Sequence, residues 1–156
     1  VLMVSLSTID LAVRGTGMDF KETWSFEHLA KVKESIQRNS KPDDPVLAFW
    51  SGYVFESGRQ FVPGMENHFA LGVSEKISLD QKIRYKVAGK EVLLKALETQ
   101  YPELVVLGAW MNEVNSSIDQ SAVPLITGEL SRKYLMVEVF GETKVTVRNP
   151  NPPPAP

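Results

Sequence analysis

At 156 residues the chain has the length of one domain, and 43% hydrophobic with 23% charged residues is a globular composition, not a disordered one. Seventeen basic against nineteen acidic residues leave a formal charge of −2, without the basic excess of a nucleic-acid footprint, so nucleic acid is not an expected partner. Cysteine is absent, which excludes a disulfide framework, a thiol nucleophile and a cysteine-based zinc site.

The opening Val1-Leu2-Met3-Val4-Ser5-Leu6 is apolar but far short of the ~20 residues that cross a bilayer. It also lacks the basic region and small-residue cleavage site of a signal peptide. Because the chain starts at Val1, it reads as a fragment of something longer, and this lead-in as a first strand or as the end of a truncated membrane helix. Residues 11–19, with Arg14, Gly15 and Gly17, read as an exposed turn. A helix is predicted over 26–38, with Ser25 as N-cap and Phe26, Leu29, Val32, Lys33 and Ile36 near helical spacing. His28 on this helix reads as a solvated or interfacial side chain.

Val46-Leu47-Ala48-Phe49-Trp50 is a continuous apolar run, the pattern of a strand buried on both faces. Residues 79–87 are helix or loop. A clear helix follows over 90–99, with Val92, Leu93, Ala96 and Leu97 as its apolar face, and Pro102 stops it. Leu104-Val105-Val106-Leu107-Gly108-Ala109-Trp110 then reads as a second buried strand, parallel to the first. A further helix is expected over 128–134. It leads into a hairpin of residues 135–140 and 143–148, in which Val137, Val139, Val145 and Val147 alternate with polar residues around a Gly141-Glu142 turn of type II′. The whole reads as one α/β domain over 1–149: a three-layer, Rossmann-like arrangement with a mostly parallel sheet and a C-terminal β-hairpin at one edge. Residues 150–156, with five of the ten prolines, are expected to form a mobile tail.

Standard catalytic signatures are missing: no Walker-type phosphate loop, no Gly-x-Gly-x-x-Gly after a strand, no nucleophile elbow and no His-Glu-x-x-His. No cofactor is called for and no catalytic residue is named. The chemistry-bearing stretch is 50–68, directly after the carboxyl end of a buried strand, where ligands gather in open α/β sheets. Trp50 and Tyr53 can stack on a sugar ring, and Arg59 can grip a phosphate or carboxylate as a fork. Glu56, Glu66, Asn67 and His68 complete a candidate substrate-binding set. Each has a plainer use: Trp50 and Phe55 as core, Glu56 and Arg59 as an ion pair holding a loop. Glu66 and His68 lack an evident third ligand, so no metal site is assigned. Asn115-Ser116-Ser117 matches a glycosylation sequon, a pattern common by chance.

The run Phe49-Trp50-Ser51-Gly52-Tyr53-Val54-Phe55-Glu56-Ser57-Gly58-Arg59, followed by Pro63-Gly64-Met65-Glu66-Asn67, resembles the C-terminal soluble region of bacterial polytopic glycosyltransferases. These are relatives of the dolichyl-phosphate-mannose–protein mannosyltransferases within the GT-C superfamily. Pro102-Glu103-Leu104-Val105-Val106-Leu107, and Tyr134 followed by Gly141 and Val145-Thr146-Val147-Arg148, fit the same likeness in the same order. The resemblance spans about residues 26–148. It implies a domain on the extracytoplasmic face of the bacterial inner membrane, partnered by the membrane-embedded portion of its parent and by a glycan or lipid-linked acceptor. In that family the donor is a polyprenyl-phosphate sugar and the catalytic acid lies in a membrane-part loop that this sequence lacks. The resemblance therefore implies an accessory role without transfer by this chain alone. Two other readings stand beside it: a stand-alone small α/β enzyme using Glu56, Glu66 and His68, and a non-enzymatic interaction domain.

Overall fold

The two continuous apolar runs form the middle of a five-stranded sheet. Strand β1 (Pro45–Ala48) and strand β3 (Leu104–Leu107) lie side by side and parallel, with Val46 opposite Leu104, Leu47 opposite Val105 and Ala48 opposite Val106. The computed structural model describes residues 25–67, 70–108 and 121–154. The expectations for residues 1–6 and 11–19, for Trp110 as a strand end and for the sequon at Asn115 lie outside them.

Strand β2 (Gln60–Phe61) adds to β1 in parallel, and the hairpin strands β4 (Tyr134–Phe140) and β5 (Thr143–Arg148) complete the order β2-β1-β3-β5-β4. The pairings β3–β5 and β4–β5 are antiparallel. The sheet is thus mixed, parallel on the β2-β1-β3 side and antiparallel on the other, where a mostly parallel sheet was expected. The hairpin does occupy one edge. Its turn has positive φ at Gly141 and not at Glu142, the type II′ signature read from the sequence.

Alternation along the central strands sends residues to two apolar clusters. Val46, Ala48, Leu104, Val106 and Val145 join Val32 and Ile36 of helix α1 (Phe26–Asn39). Leu47, Phe49 and Val105 join Leu93, Leu97, Ile126 and Leu130 on the other side. Both faces are covered, which is why these strands are apolar at every position.

Ser25 caps α1, its hydroxyl accepting the His28 amide N–H at 3.1 Å. The buried stripe is His28, Val32, Ser35 and Ile36. Phe26 falls about 200° around the helix from His28, since each residue turns ~100°. It is 92% exposed and not part of the apolar face. His28 also departs from expectation: it is buried against the start of β5.

Between β2 and β3 the chain makes three helices: α2 (Ala70–Ser74), α3 (Leu79–Tyr85) and α4 (Lys90–Glu98). The segment left open between helix and loop is α3. Ser78 and Gln81 form a reciprocal capping box at its start, and Lys86 ends it in the left-handed conformation. In α4 the buried residues are Leu93, Ala96 and Leu97, while Val92 lies off that stripe and is exposed. Helix α5 (Val123–Lys133) begins five residues before the expected start, with Pro124 in its first turn, where a missing N–H costs nothing.

On β4, Val137 and Val139 are both exposed. A bulge between Met136 and Glu138 shifts the register, and β4 is an edge strand. Beyond β5, Arg132 Nη1 donates to the Pro153 carbonyl at 3.0 Å, tying residues after Pro150 to α5. Among the described residues no helix is long and apolar enough to cross a membrane.

Candidate functional site

The stretch from Trp50 to Asn67 leaves β1 at the carboxyl edge, returns to the amino edge to start β2, and leaves β2 at the carboxyl edge again. Its side chains are therefore divided among several places.

Trp50 and Tyr53 stand at the first passage, ring edge to ring face at 4.9 Å between centroids. Each ring lies on a glycine: a Cβ on Gly52 would come within 2.2 Å of the Trp50 ring, and one on Gly108 within 2.3 Å of the Tyr53 hydroxyl. Tyr53 is fully buried and Trp50 partly so. The Tyr53 hydroxyl is 3.2 Å from Thr143 Oγ1, and His28 Nε2 is 2.9 Å from that same oxygen. Burial pushes the Tyr53 hydroxyl above its ordinary pKa, against the Thr143 hydrogen bond, and the nearby Glu142 carboxylate adds to the rise. This His28–Thr143–Tyr53 group joins α1, the 3-10 turn Ser51–Tyr53 that follows β1, and β5. Sequence reasoning missed it, because its members lie up to 115 positions apart.

Glu56 and Phe55 sit on the turn that follows. The turn carries Phe55 into solvent, not into the core, and Glu56 has φ +63°. Its carboxylate is 3.9 Å from Lys33 of α1. Arg59, at the amino edge, pairs with neither Glu56 nor Glu66. Its Nε donates to Ser40 Oγ at 2.9 Å, and Nη2 donates to the Gln37 and Ser40 carbonyls at 3.0 and 2.8 Å. The guanidinium closes the C-terminal end of α1, where helix carbonyls lack partners.

At the second passage Glu66 and Asn67 are exposed, and His68 lies outside the described residues. Glu66 lines an open groove of about 780 Å³ whose walls include Leu79, Ile83, Val87 and Val92. Asn67 lines an adjoining hollow of about 360 Å³ with Tyr85 and Lys86. Gly64 shapes the floor. It has φ +84°, its carbonyl accepts the Ala88 amide N–H at 3.1 Å, and a Cβ there would come within 2.6 Å of that nitrogen.

The residues of α3 facing the groove are Leu79, Lys82, Ile83 and Lys86, at spacing i, i+3, i+4 and i+7 along one side. The wall they form is apolar with ammonium groups along it. Lys82 Nζ and the Glu91 carboxylate both come up against Gly89. The sequence signals for this place were the Ser78–Gln81 capping box and the basic run that follows it. Among the described residues no three His, Asp or Glu side chains converge as a metal site. Compared with protein-family models, curated proteins and solved structures, the chain finds no match in any of the three.

Proposed function

We propose that this chain is the accessory, extracytoplasmic domain of a bacterial membrane glycosyltransferase that takes its sugar from a polyprenyl phosphate. In this reading it positions an acceptor at, or packs over, the membrane-embedded active site and transfers no sugar by itself. The observation that carries the reading is where the three resembling segments meet. Tyr53 of the first segment packs on Gly108, directly after the second, and bonds Thr143 in the hairpin of the third. Tyr134 of the third donates to the Pro102 carbonyl of the second at 3.0 Å. Residues that carry the likeness hold one another, which supports reading the three segments as one unit, and the reading extends to a three-layer, Rossmann-like domain with α1 on one face and α4 with α5 on the other.

The roles of Tyr53 and Arg59 inside the framework favour an accessory domain over a small enzyme. Glu56 lies beside α1 and Glu66 lines the groove beside α3, so the two carboxylates serve different elements. The test supplies a polyprenyl-phosphate sugar and an acceptor to the purified chain, and separately to the chain joined to its membrane-embedded portion. Transfer is expected only from the joined protein, and less of it when this domain is deleted. Transfer by the isolated chain that is lost with Glu56→Gln or Glu66→Gln would overturn the proposal in favour of a stand-alone enzyme.

A further inference from the structure

We infer that the α3 side of the groove docks on an anionic lipid bilayer. The inference goes beyond the accessory-domain reading and does not rest on it, because its observations concern α3 and its surroundings alone. Helix α3 buries none of its residues, and it keeps Leu79 71% and Ile83 69% exposed. Those two are one turn apart and face the same way, with exposed Tyr85 and Val92 nearby. Isolated exposed aliphatics are ordinary, but a helix that keeps its apolar pair this exposed has a face that none of the described residues buries.

Charge selects the partner. Residues 75–91 carry Lys76, Lys82, Arg84, Lys86 and Lys90 against Glu75, Asp80 and Glu91, a local cationic surplus in a chain whose net charge is −2. Glu91 stands beside Lys82 at Gly89 and offsets it, and Glu66 is the other carboxylate on the groove. The surplus therefore lies along α3 and its flanks, with the Arg84 guanidinium over the Tyr85 ring at 5.7 Å. Aliphatics, an aromatic ring with a polar tip and a spread of cations are what an interfacial helix presents to anionic headgroups.

Vesicle co-sedimentation of the chain tests this, using mixed phosphatidylglycerol–phosphatidylcholine vesicles against phosphatidylcholine alone. Binding to the anionic vesicles at low salt is expected, weakening as salt rises. Arg84→Gln with Lys86→Gln should lower the partition by roughly twenty-five-fold, since each cation near an anionic surface contributes about fivefold. Leu79→Ser with Ile83→Ser should also lower it, with the far-UV spectrum and melting temperature kept. Equal binding to neutral vesicles, binding indifferent to both double variants, or no binding to either vesicle would overturn the inference, the last in favour of a protein partner.

Discussion

Two regions at the carboxyl edge of the sheet use their side chains in opposite ways. Around Tyr53 the aromatic rings lie on glycines and the polar atoms bond one another across three elements. Around Leu79 and Ile83 the chain has a capped helix none of whose own residues is buried, with an open groove at its side. The residue types that suggest a binding pocket, tryptophan, tyrosine and arginine, are mostly framework here. The open surface is built from aliphatics and lysines in the helical stretch between β2 and β3. Of the candidate set read from the sequence, Tyr53 and Arg59 lie in the framework, while Glu66 and Asn67 line the groove and its adjoining hollow.

The largest effect should come from breaking the packed region. Tyr53→Ala removes a fully buried ring and is expected to cost about 3–5 kcal/mol in denaturant unfolding, as for large aromatic truncations in cores. Tyr53→Phe keeps the ring and should cost only about 1 kcal/mol, the net worth of its hydrogen bond to Thr143. At the groove floor, Gly64→Ala meets both a positive φ and a backbone nitrogen at 2.6 Å. Its expected cost is about 1–3 kcal/mol, measured the same way.

Much of the architecture was legible because the physics was local. Two runs apolar at every position marked strands covered on both faces, and Ser25 marked the start of α1. What was not legible depended on distant or absent partners. Helix α3 has no buried face, so no apolar period announced it, and only its capping box could have done so. The bulge at Met136–Glu138 was not legible, because alternation alone does not reveal it. His28 looked solvated because Thr143, its partner, is 115 residues away. At the candidate site, the sequence carried the residue types correctly but not their directions. Arg59 turns back to a helix end across 19 to 22 residues, a contact that spacing does not encode.

A middle-sized effect sharpens the point about Arg59. Arg59→Ala strands the Gln37 and Ser40 carbonyls and should cost about 1–3 kcal/mol. Arg59→Lys should restore little of it, because an ammonium cannot reproduce the fork. A smaller effect lies in the pH dependence of stability. Burial raises the Glu129 and Glu138 carboxyls, but Arg132 with Lys133, and Arg38, outweigh it and hold both below the usual carboxylate range. Their folded pKa values thus lie below the unfolded ones, so their stabilisation is complete above the unfolded value and is lost as pH falls through the folded one. Glu129→Gln should therefore flatten the acid limb of a stability–pH curve while changing little of its shape near neutrality.

The smallest expected effect bears most directly on the division between framework and open surface. Leu79→Ser with Ile83→Ser, measured by denaturant unfolding beside Tyr53→Ala, should shift stability by no more than about 0.5 kcal/mol, as for surface positions. A loss approaching that of Tyr53→Ala would mean that α3 belongs to the core and that the groove is not an available surface.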